Sequence, residues 1–289
     1  MVAGILETAP AKVNLALHVT GKRADGYHDL ESLVVFAGVA DELRANSARE
    51  DTLFLKGPFA AALTAGQSNL VLKAMTAFRA RWPDAIGQGV AIELTKNLPV
   101  AAGIGGGSAD AAAALRLMAG LSTKSIAPEA LAEVAATLGA DVPICLLSSA
   151  CIAEGVGEVV TPLERFPACH VVLVNPLVPI LTADIFRRLK QHDNPGLPGF
   201  DAPLEHIALL ALWLEQTRND LQGPAIESAP IVGDIIAKLG QTRGCVAARM
   251  SGSGATVFGL YGSSAEAHQA AHDIRAIWPD FWVAAAPVQ

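Results

Sequence analysis

The stretch LPVAAGIGGGSADAAAAL, Leu98 to Leu115, sets four glycines within five positions directly before an alanine-rich run. Glycine carries no Cβ, so its backbone reaches positive φ and its N–H groups can approach a ligand closely. The following SADAAAALRLM is a strong helix former, with Ser108 expected at the N-cap and Asp110 in the first turn, where negative charge suits the helix dipole. A glycine loop feeding a helix start presents unpaired N–H donors and partial positive charge, the chemistry of an anion site and above all of a phosphate site. The alternative is a flexible linker or an ordinary helix cap, but linkers mix in Ser, Pro and charge rather than abut a helix. A P-loop needs a Gly-Lys-Ser/Thr ending, and no lysine follows these glycines. The dinucleotide fingerprint fits weakly: GIGGGS contains G-x-G, but LSTKSIAPEAL downstream offers no strand ending in an acid.

Several elements must hold this loop. AKVNLALHVTG alternates Val13, Leu15, Leu17 and Val19 against Lys12, Asn14, Ala16 and His18, the period of a half-buried strand. On that reading His18 is a packed strand residue. DLESLVVFAGVADELRAN, DTLFLKG and GVAIELTKNL read as further strands. SNLVLKAMTAFRARW reads as a helix capped by Ser68 or Asn69, and PEALAEVAATLG as a helix ending at Gly139. Beyond the prolines of VVTPLERFPACH a second series begins. HVVLVNP is a strand and TADIFRRLK a helix, and QHDNPGLPGFDAP is a loop. LEHIALLALWLEQ and PIVGDIIAKLG are helices, and GCVAARM and ATVFGLYG are strands joined by SGSG. SAEAHQAAHDIRAIW is a helix and FWVAAAPV a last strand. The second half thus reads β-α-α-α-β-β-α-β, close to a split βαβ arrangement.

The totals narrow the class. A chain of 289 residues fits one large domain or two. It is 52% hydrophobic, with a mean hydropathy of +0.38, but much of that is alanine, and no run of about 20 strongly apolar residues is free of charges or breakers. MVAGILETAPAKVN has no basic start and carries Glu7 where an apolar core would stand, so no signal peptide is expected. Cys145, Cys151, Cys169 and Cys245 show no metal spacing and read as reduced thiols. A net charge of −7 speaks against nucleic-acid binding. The expectation is a soluble, cytoplasmic, globular protein, monomer or homodimer, with neither nucleic acid nor membrane as partner.

Three separated pieces carry a resemblance. Pro-Ala-Lys-x-Asn on a first strand, Pro-x-x-x-Gly-[Leu/Ile]-Gly-Gly-Gly-Ser, and Ser-Gly-[Ser/Thr]-Gly in MSGSGATVFGL resemble the three motifs of the GHMP small-molecule kinases. Within that superfamily VTGKRADGYHDL, LGADVP and AEGVGE resemble the branch whose acceptor is 4-diphosphocytidyl-2-C-methylerythritol. The match runs from Pro10 to about Phe258, with departures at Ala109, where serine is commonly repeated, and at Ala183, where proline is frequent. The resemblance implies an α+β, two-domain GHMP kinase fold. Its N-terminal, ribosomal-protein-S5-like domain would span 1–161, and its C-terminal, ferredoxin-like (split βαβ) domain 162–289.

The implied reaction is ATP- and Mg2+-dependent phosphorylation of the acceptor's 2-hydroxyl, a step of non-mevalonate isoprenoid synthesis. Such a transfer asks mainly for positioning, charge stabilisation and a group to accept the hydroxyl proton. The resemblance places ATP at Pro99, Gly103, Ile104, Gly105, Gly106, Gly107, Ser108 and Ala109, with the Ser108 hydroxyl near phosphate or Mg2+. Asn69 and Lys96 would line the adenine pocket. No protein metal ligand is expected, because Mg2+ would come through the ATP phosphates. Asp141 would be the general base and Lys12 its electrostatic partner, with Asn14 two residues on along the same strand face. Tyr27 and Phe186 would stack on cytosine, His28 would bond its edge, and Thr182 would join the acceptor site.

Plainer roles stand beside these: an N-cap for Asp141, a solvated strand lysine for Lys12, and a core residue for Phe186. Tyr27 would be a turn residue, His28 a surface histidine, Asn69 a helix cap and Lys96 a solvated lysine. Another GHMP kinase, acting on mevalonate, homoserine or a sugar, would keep the loop but has no reason to keep DGYH. A non-catalytic sensor on the same fold should have lost Lys12 or Asp141, and both stand.

Overall fold

The computed structural model describes residues 5–200 and 204–289, so the last three residues of the expected Pro/Gly-rich loop and the first four of the chain lie outside the description. In order, the elements are β1 (Ile5–Lys22), β2 (His28–Ala48), β3 (Thr52–Lys56), α1 (Leu70–Arg81), β4 (Gly89–Thr95), α2 (Gly106–Leu121), α3 (Pro128–Leu138) and α4 (Asp141–Leu147). There follow β5 (Cys151–Gly155), β6 (Val159–Pro162), β7 (His170–Asn175), α5 (Thr182–Arg188), α6 (Ile207–Glu215), α7 (Gln222–Ser228) and α8 (Ile231–Gly240). The chain closes with β8 (Cys245–Met250), β9 (Val257–Tyr261), α9 (Ser264–Ile277) and β10 (Trp282–Pro287). Two compact units interleave along the sequence. The first takes the chain up to Ala11, Ala40–Val100 and Gly105–Leu147; the second takes Lys12–Val39, Ala101–Ile104 and Ser148–Gln289.

In the first unit β3 runs parallel to β4, and β4 runs antiparallel to the later part of β2, Glu42 opposite Thr95 through Ala48 opposite Gly89. β4 alternates as its sequence requires, with Val90, Ile92 and Leu94 buried. Helix α1 starts where expected, because the Asn69 side chain accepts from the Val71 N–H at 3.0 Å. Its buried face is Val71, Ala74, Met75 and Phe78. Helix α2 buries Ala111 to Leu115 without interruption. Alanine has so little bulk that α1 and α4 can both lie close against it.

In the second unit the early part of β2 pairs with β5, Leu30 opposite Gly155 through Val34 opposite Cys151, and β5 pairs with β6. The remaining strands form an antiparallel sheet in the order β10-β7-β9-β8. Numbered within the sheet, that order is 4-1-3-2, which is the split βαβ arrangement. Val172, Val174, Val257, Ile235, Leu239 and Ile274 fill the core between it and its helices.

Three readings need correction. β1 is buried on both faces from Ala9 to Val19, not half-buried, and Lys12, Asn14 and His18 are buried with it. Part of the polar face finds partners: His18, for one, lies against the Pro195 carbonyl and accepts from the Arg218 N–H, each at 3.1 Å. Helix α2 begins at Gly106 with left-handed Gly105 (φ 63°) as its N-cap, so Ser108 is the third helical residue and caps nothing. Asp110 consequently lies past the first turn. The third correction is in the second half, where α7 adds a helix to the expected series.

Candidate active site

In the second unit the three sequence motifs meet through main-chain bonds. The Lys12 N–H donates to the Ile104 carbonyl at 2.9 Å, and the Thr256 N–H donates to Ala102 at 3.2 Å. Ser251 ties all three. Its hydroxyl accepts from the Asn14 N–H at 3.1 Å and donates to the Gly103 carbonyl at 3.0 Å. Gly103 (φ +73°) has no alternative, because a Cβ there would sit 2.6 Å from the carbonyl oxygens of Ser251 and Gly254. Asn14 donates its amide to Ser32 Oγ at 2.7 Å, while its Oδ1 is buried without a partner. An orphaned buried acceptor beside a glycine turn marks a place for an incoming donor. Lys12 is buried as well, and its charge lowers a Cys151 thiol that burial pushes up to about 11.

The loop then passes into the first unit. No side chain caps α2, so its leading N–H groups stay available, at half-exposed Gly106 and Ser108 and exposed Gly107. Ile104, Ala109 and Pro99 are buried, so these three can serve a ligand only through the main chain or as packing. Lys96 is 1% exposed, not solvated. Its ammonium lies 2.5 Å from Asp41 Oδ2 and 2.7 Å from Asp110 Oδ2. Asp41 also accepts from the N–H groups of Asn97 (2.6 Å) and Leu98 (2.8 Å). Burial would lower the Lys96 ammonium, but the charges of Asp110 and Asp41 outweigh it and hold the group above the usual lysine range. Burial pushes the Asp110 carboxyl up to about 7; Lys96 draws it down and Asp41 pushes it further up. The lysine head group is thus committed to two carboxylates, while its N–H donates to the Lys56 carbonyl at 2.7 Å and its carbonyl accepts from the Phe59 N–H at 3.2 Å. Asn69 spends its amide on the α1 cap and on the Thr64 carbonyl at 3.0 Å, so the cap reading holds.

Back in the second unit, the residues expected around a base converge. The His28 ring stacks on Phe186 with centroids 4.8 Å apart and planes at 24°. His28 Nε2 lies 3.1 Å from His192 Nδ1. Burial, then the charges of His192 and Lys22, lower the His28 imidazole. Phe186 is half-buried against the core, Tyr27 is 64% exposed, and Thr182 shares a hydrogen bond of 2.7 Å with Ser253. Thr182 and Phe186 stand four residues apart on α5, hence on one helix face, which runs from the SGSG turn to the His28 ring. Asp141 opens α4, half-buried, in the first unit.

Sequence reasoning missed Asp41, Asp110 as an ion-pair partner, Ser32, Ser251 as a tie, and His192. Only Ser251 carried a signal, as the first residue of SGSG. Asp41 and His192 stand in unmarked surroundings, and nothing local announces partners 55 and 164 residues away.

The chain matches the descriptions of two family modules, the GHMP kinases N terminal domain over residues 69–149 and the GHMP kinases C terminal region over residues 204–280. It is 47% identical over 281 residues to the 4-diphosphocytidyl-2-C-methyl-D-erythritol kinase of Parvibaculum lavamentivorans, with 96% of each chain covered. The same-named protein of Chelativorans sp. is 45% identical over 278 residues, covering 96% of this chain and 94% of the relative. A crystal structure of 4-(cytidine 5'-diphospho)-2C-methyl-D-erythritol kinase superposes with a TM-score of 0.80 at 32% identity, covering 98% and 99% of the two chains. Homoserine kinase from Cytophaga hutchinsonii shares the fold, with a TM-score of 0.72 at 16% identity over 100% of this chain and 95% of that one. With its three motifs joined through Ser251 and this identity spanning nearly its full length, the chain belongs to the GHMP kinases, in the family of the 4-diphosphocytidyl-2-C-methyl-D-erythritol kinases.

Proposed function

We propose that the protein transfers the γ-phosphoryl group of ATP to the 2-hydroxyl of 4-diphosphocytidyl-2-C-methyl-D-erythritol, a step of the non-mevalonate route to isoprenoids. The observation that carries the phosphate half of this reading is the uncapped, glycine-built start of α2. Its N–H groups and dipole supply what a phosphate chain needs. The acceptor oxygen forms the new bond to phosphorus as the bond to the ADP oxygen breaks, and the hydroxyl proton goes to the Asp141 carboxylate. Lys12 offsets the developing negative charge, and the orphaned Asn14 Oδ1 accepts from an acceptor hydroxyl. Tyr27, His28 and Phe186 hold the cytosine, with Thr182 at the other end of the same helix face. Asn69 and Lys96 border the adenine.

Among the described residues no three His, Cys, Asp or Glu side chains gather as a metal site. In this reading Mg2+ would be carried on ATP phosphate oxygens, with the Ser108 hydroxyl beside them, and would neutralise phosphate charge. The partners in this reading are the two small molecules, and the protein works as a monomer or homodimer in the cytoplasm. No helix among the described residues is long and apolar enough to cross a membrane. As a division by family module, 1–161 and 162–289 keep the two matched regions apart.

Coupled ADP release with a panel of alcohols tests the proposal. Turnover is expected with the cytidine diphosphate-linked acceptor and not with mevalonate, homoserine or galactose. Turnover with one of the others alone would replace the acceptor assignment, and acceptor binding without any turnover would favour the sensor.

A further inference from the structure

We propose that Lys96, Asp41 and Asp110 form a clasp that fixes both ends of the glycine loop and so sets the affinity for the phosphate chain of ATP. This rests on the loop being the ATP-phosphate site. On the entry side, Asp41 Oδ1 takes the N–H groups of Asn97 and Leu98, the two residues before Pro99. Its other oxygen holds the Lys96 ammonium at 2.5 Å. On the exit side the same ammonium holds Asp110 Oδ2 at 2.7 Å. One lysine therefore joins the strand end that launches the loop to the helix that receives it.

Two further observations point the same way. Gly106 and Asp110 stand four apart on α2, so they share a face, and the ammonium lies against it. A Cβ at Gly106 would come within 3.1 Å of Nζ, so this glycine makes room for the lysine. The Lys96 ammonium holds Asp110 through Oδ2, and the remaining oxygen of Asp110 is buried with no hydrogen-bond partner. A buried ion cluster adds little stability over well-packed apolar side chains, whereas it fixes geometry tightly. Geometry matters at a phosphate loop, because donors aimed at oxygens lose their value with small displacements.

The test measures calorimetric Kd values for Mg·ATP and for the cytidine diphosphate-linked acceptor, with thermal melts alongside. Asp110→Ala removes the exit tie and leaves Lys96 paired with Asp41; the ATP Kd should rise roughly tenfold, as for coupled members of one network. The acceptor Kd should hold. Asp110→Asn keeps an oxygen for Lys96 and should recover most of the lost affinity, which a charge effect alone would not. Where Asp110→Ala is too unstable to titrate, Gly106→Ala presses on the same tie from the helix side and should also weaken ATP. An unchanged ATP Kd in Asp110→Ala, or equal weakening of both ligands, would overturn the clasp. Gly107→Val separates the two layers of argument. If it abolishes ATP binding while Asp110→Ala has no effect, the clasp alone fails. If it leaves ATP binding intact, the loop assignment fails and takes the clasp with it.

Discussion

Asp141 opens a short helix behind Gly139, half-buried, where a carboxylate suits the helix start whether or not it takes a proton. Kinetics separate the roles. Asp141→Asn keeps the shape and should lower kcat by roughly 10²–10⁴-fold, the usual worth of general acid–base catalysis, with ATP affinity retained. Turnover near that of the unmodified enzyme would remove Asp141 from the chemistry. Phe186 and Tyr27 divide differently. Base stacking is worth about 1–3 kcal/mol, or roughly 5- to 150-fold in affinity. Tyr27 is largely exposed, so Tyr27→Ala should raise the acceptor KM alone, with kcat and the ATP KM little changed. Phe186 both stacks on His28 and packs on the core, so Phe186→Ala should raise the acceptor KM and also lower Tm. Its stability cost should stay below the roughly 3–5 kcal/mol of a fully buried phenylalanine. A lowered Tm with the acceptor KM unmoved would leave Phe186 a core residue only.

At the scale of elements, what could be read in the sequence was what is local. The Asn69 cap, the Gly139 stop and the strands on either side of SGSG each carry their cause within a few residues. Helix α7 escaped because QGPAIES opens with Gly-Pro, which reads as a turn, yet proline is tolerated in a helix's first turn. β5 and β6 escaped because CIAEG and VVTP are too short to show a period. Ser108 misled because propensity favours serine at an N-cap, while a left-handed glycine in that position leaves the helix start bare. The site was legible as motifs and not as a network. Ser251 and Asn219 bind their partners across long stretches of chain. Asn219 donates to the carbonyls of Met250 (2.8 Å) and Gly252 (2.9 Å) and accepts from the Leu221 N–H at 3.0 Å, so it holds the SGSG turn in place. Asn219→Ala strands three main-chain groups, two of them buried, and should cost about 2–4 kcal/mol in urea unfolding. A loss under about 0.5 kcal/mol, the range of ordinary surface changes, would show that the turn holds itself.

Across the whole molecule, buried ionisable groups set how stability responds to pH. His18 is fully buried on β1. Its Nε2 accepts from the Arg218 N–H, so the neutral ring carries its proton on Nδ1, toward the Pro195 carbonyl. Protonating Nε2 would set two donors face to face. Burial, then the Arg218 charge, hold the imidazole below its ordinary 6.5. The unfolded chain therefore binds this proton first as pH falls below about 6.5, and stability declines from there until the folded pKa is passed. One such group contributes a slope of at most about 1.4 kcal/mol per pH unit. Asp110 acts in the opposite sense: raised from 3.8 to about 7, it keeps a proton that the unfolded chain has released, and its contribution falls as pH rises through that window. Below about pH 6.5 the two slopes oppose each other, so in urea unfolding His18→Gln, whose side chain does not titrate, should gain more stability toward acid than the unmodified protein. In Asp110→Asn the acid-side decline due to His18 should emerge, because the opposing slope is gone. An acid limb of equal steepness in the unmodified protein and His18→Gln would mean that His18 takes up its proton in the folded state without loss, contrary to its bond with the Arg218 amide.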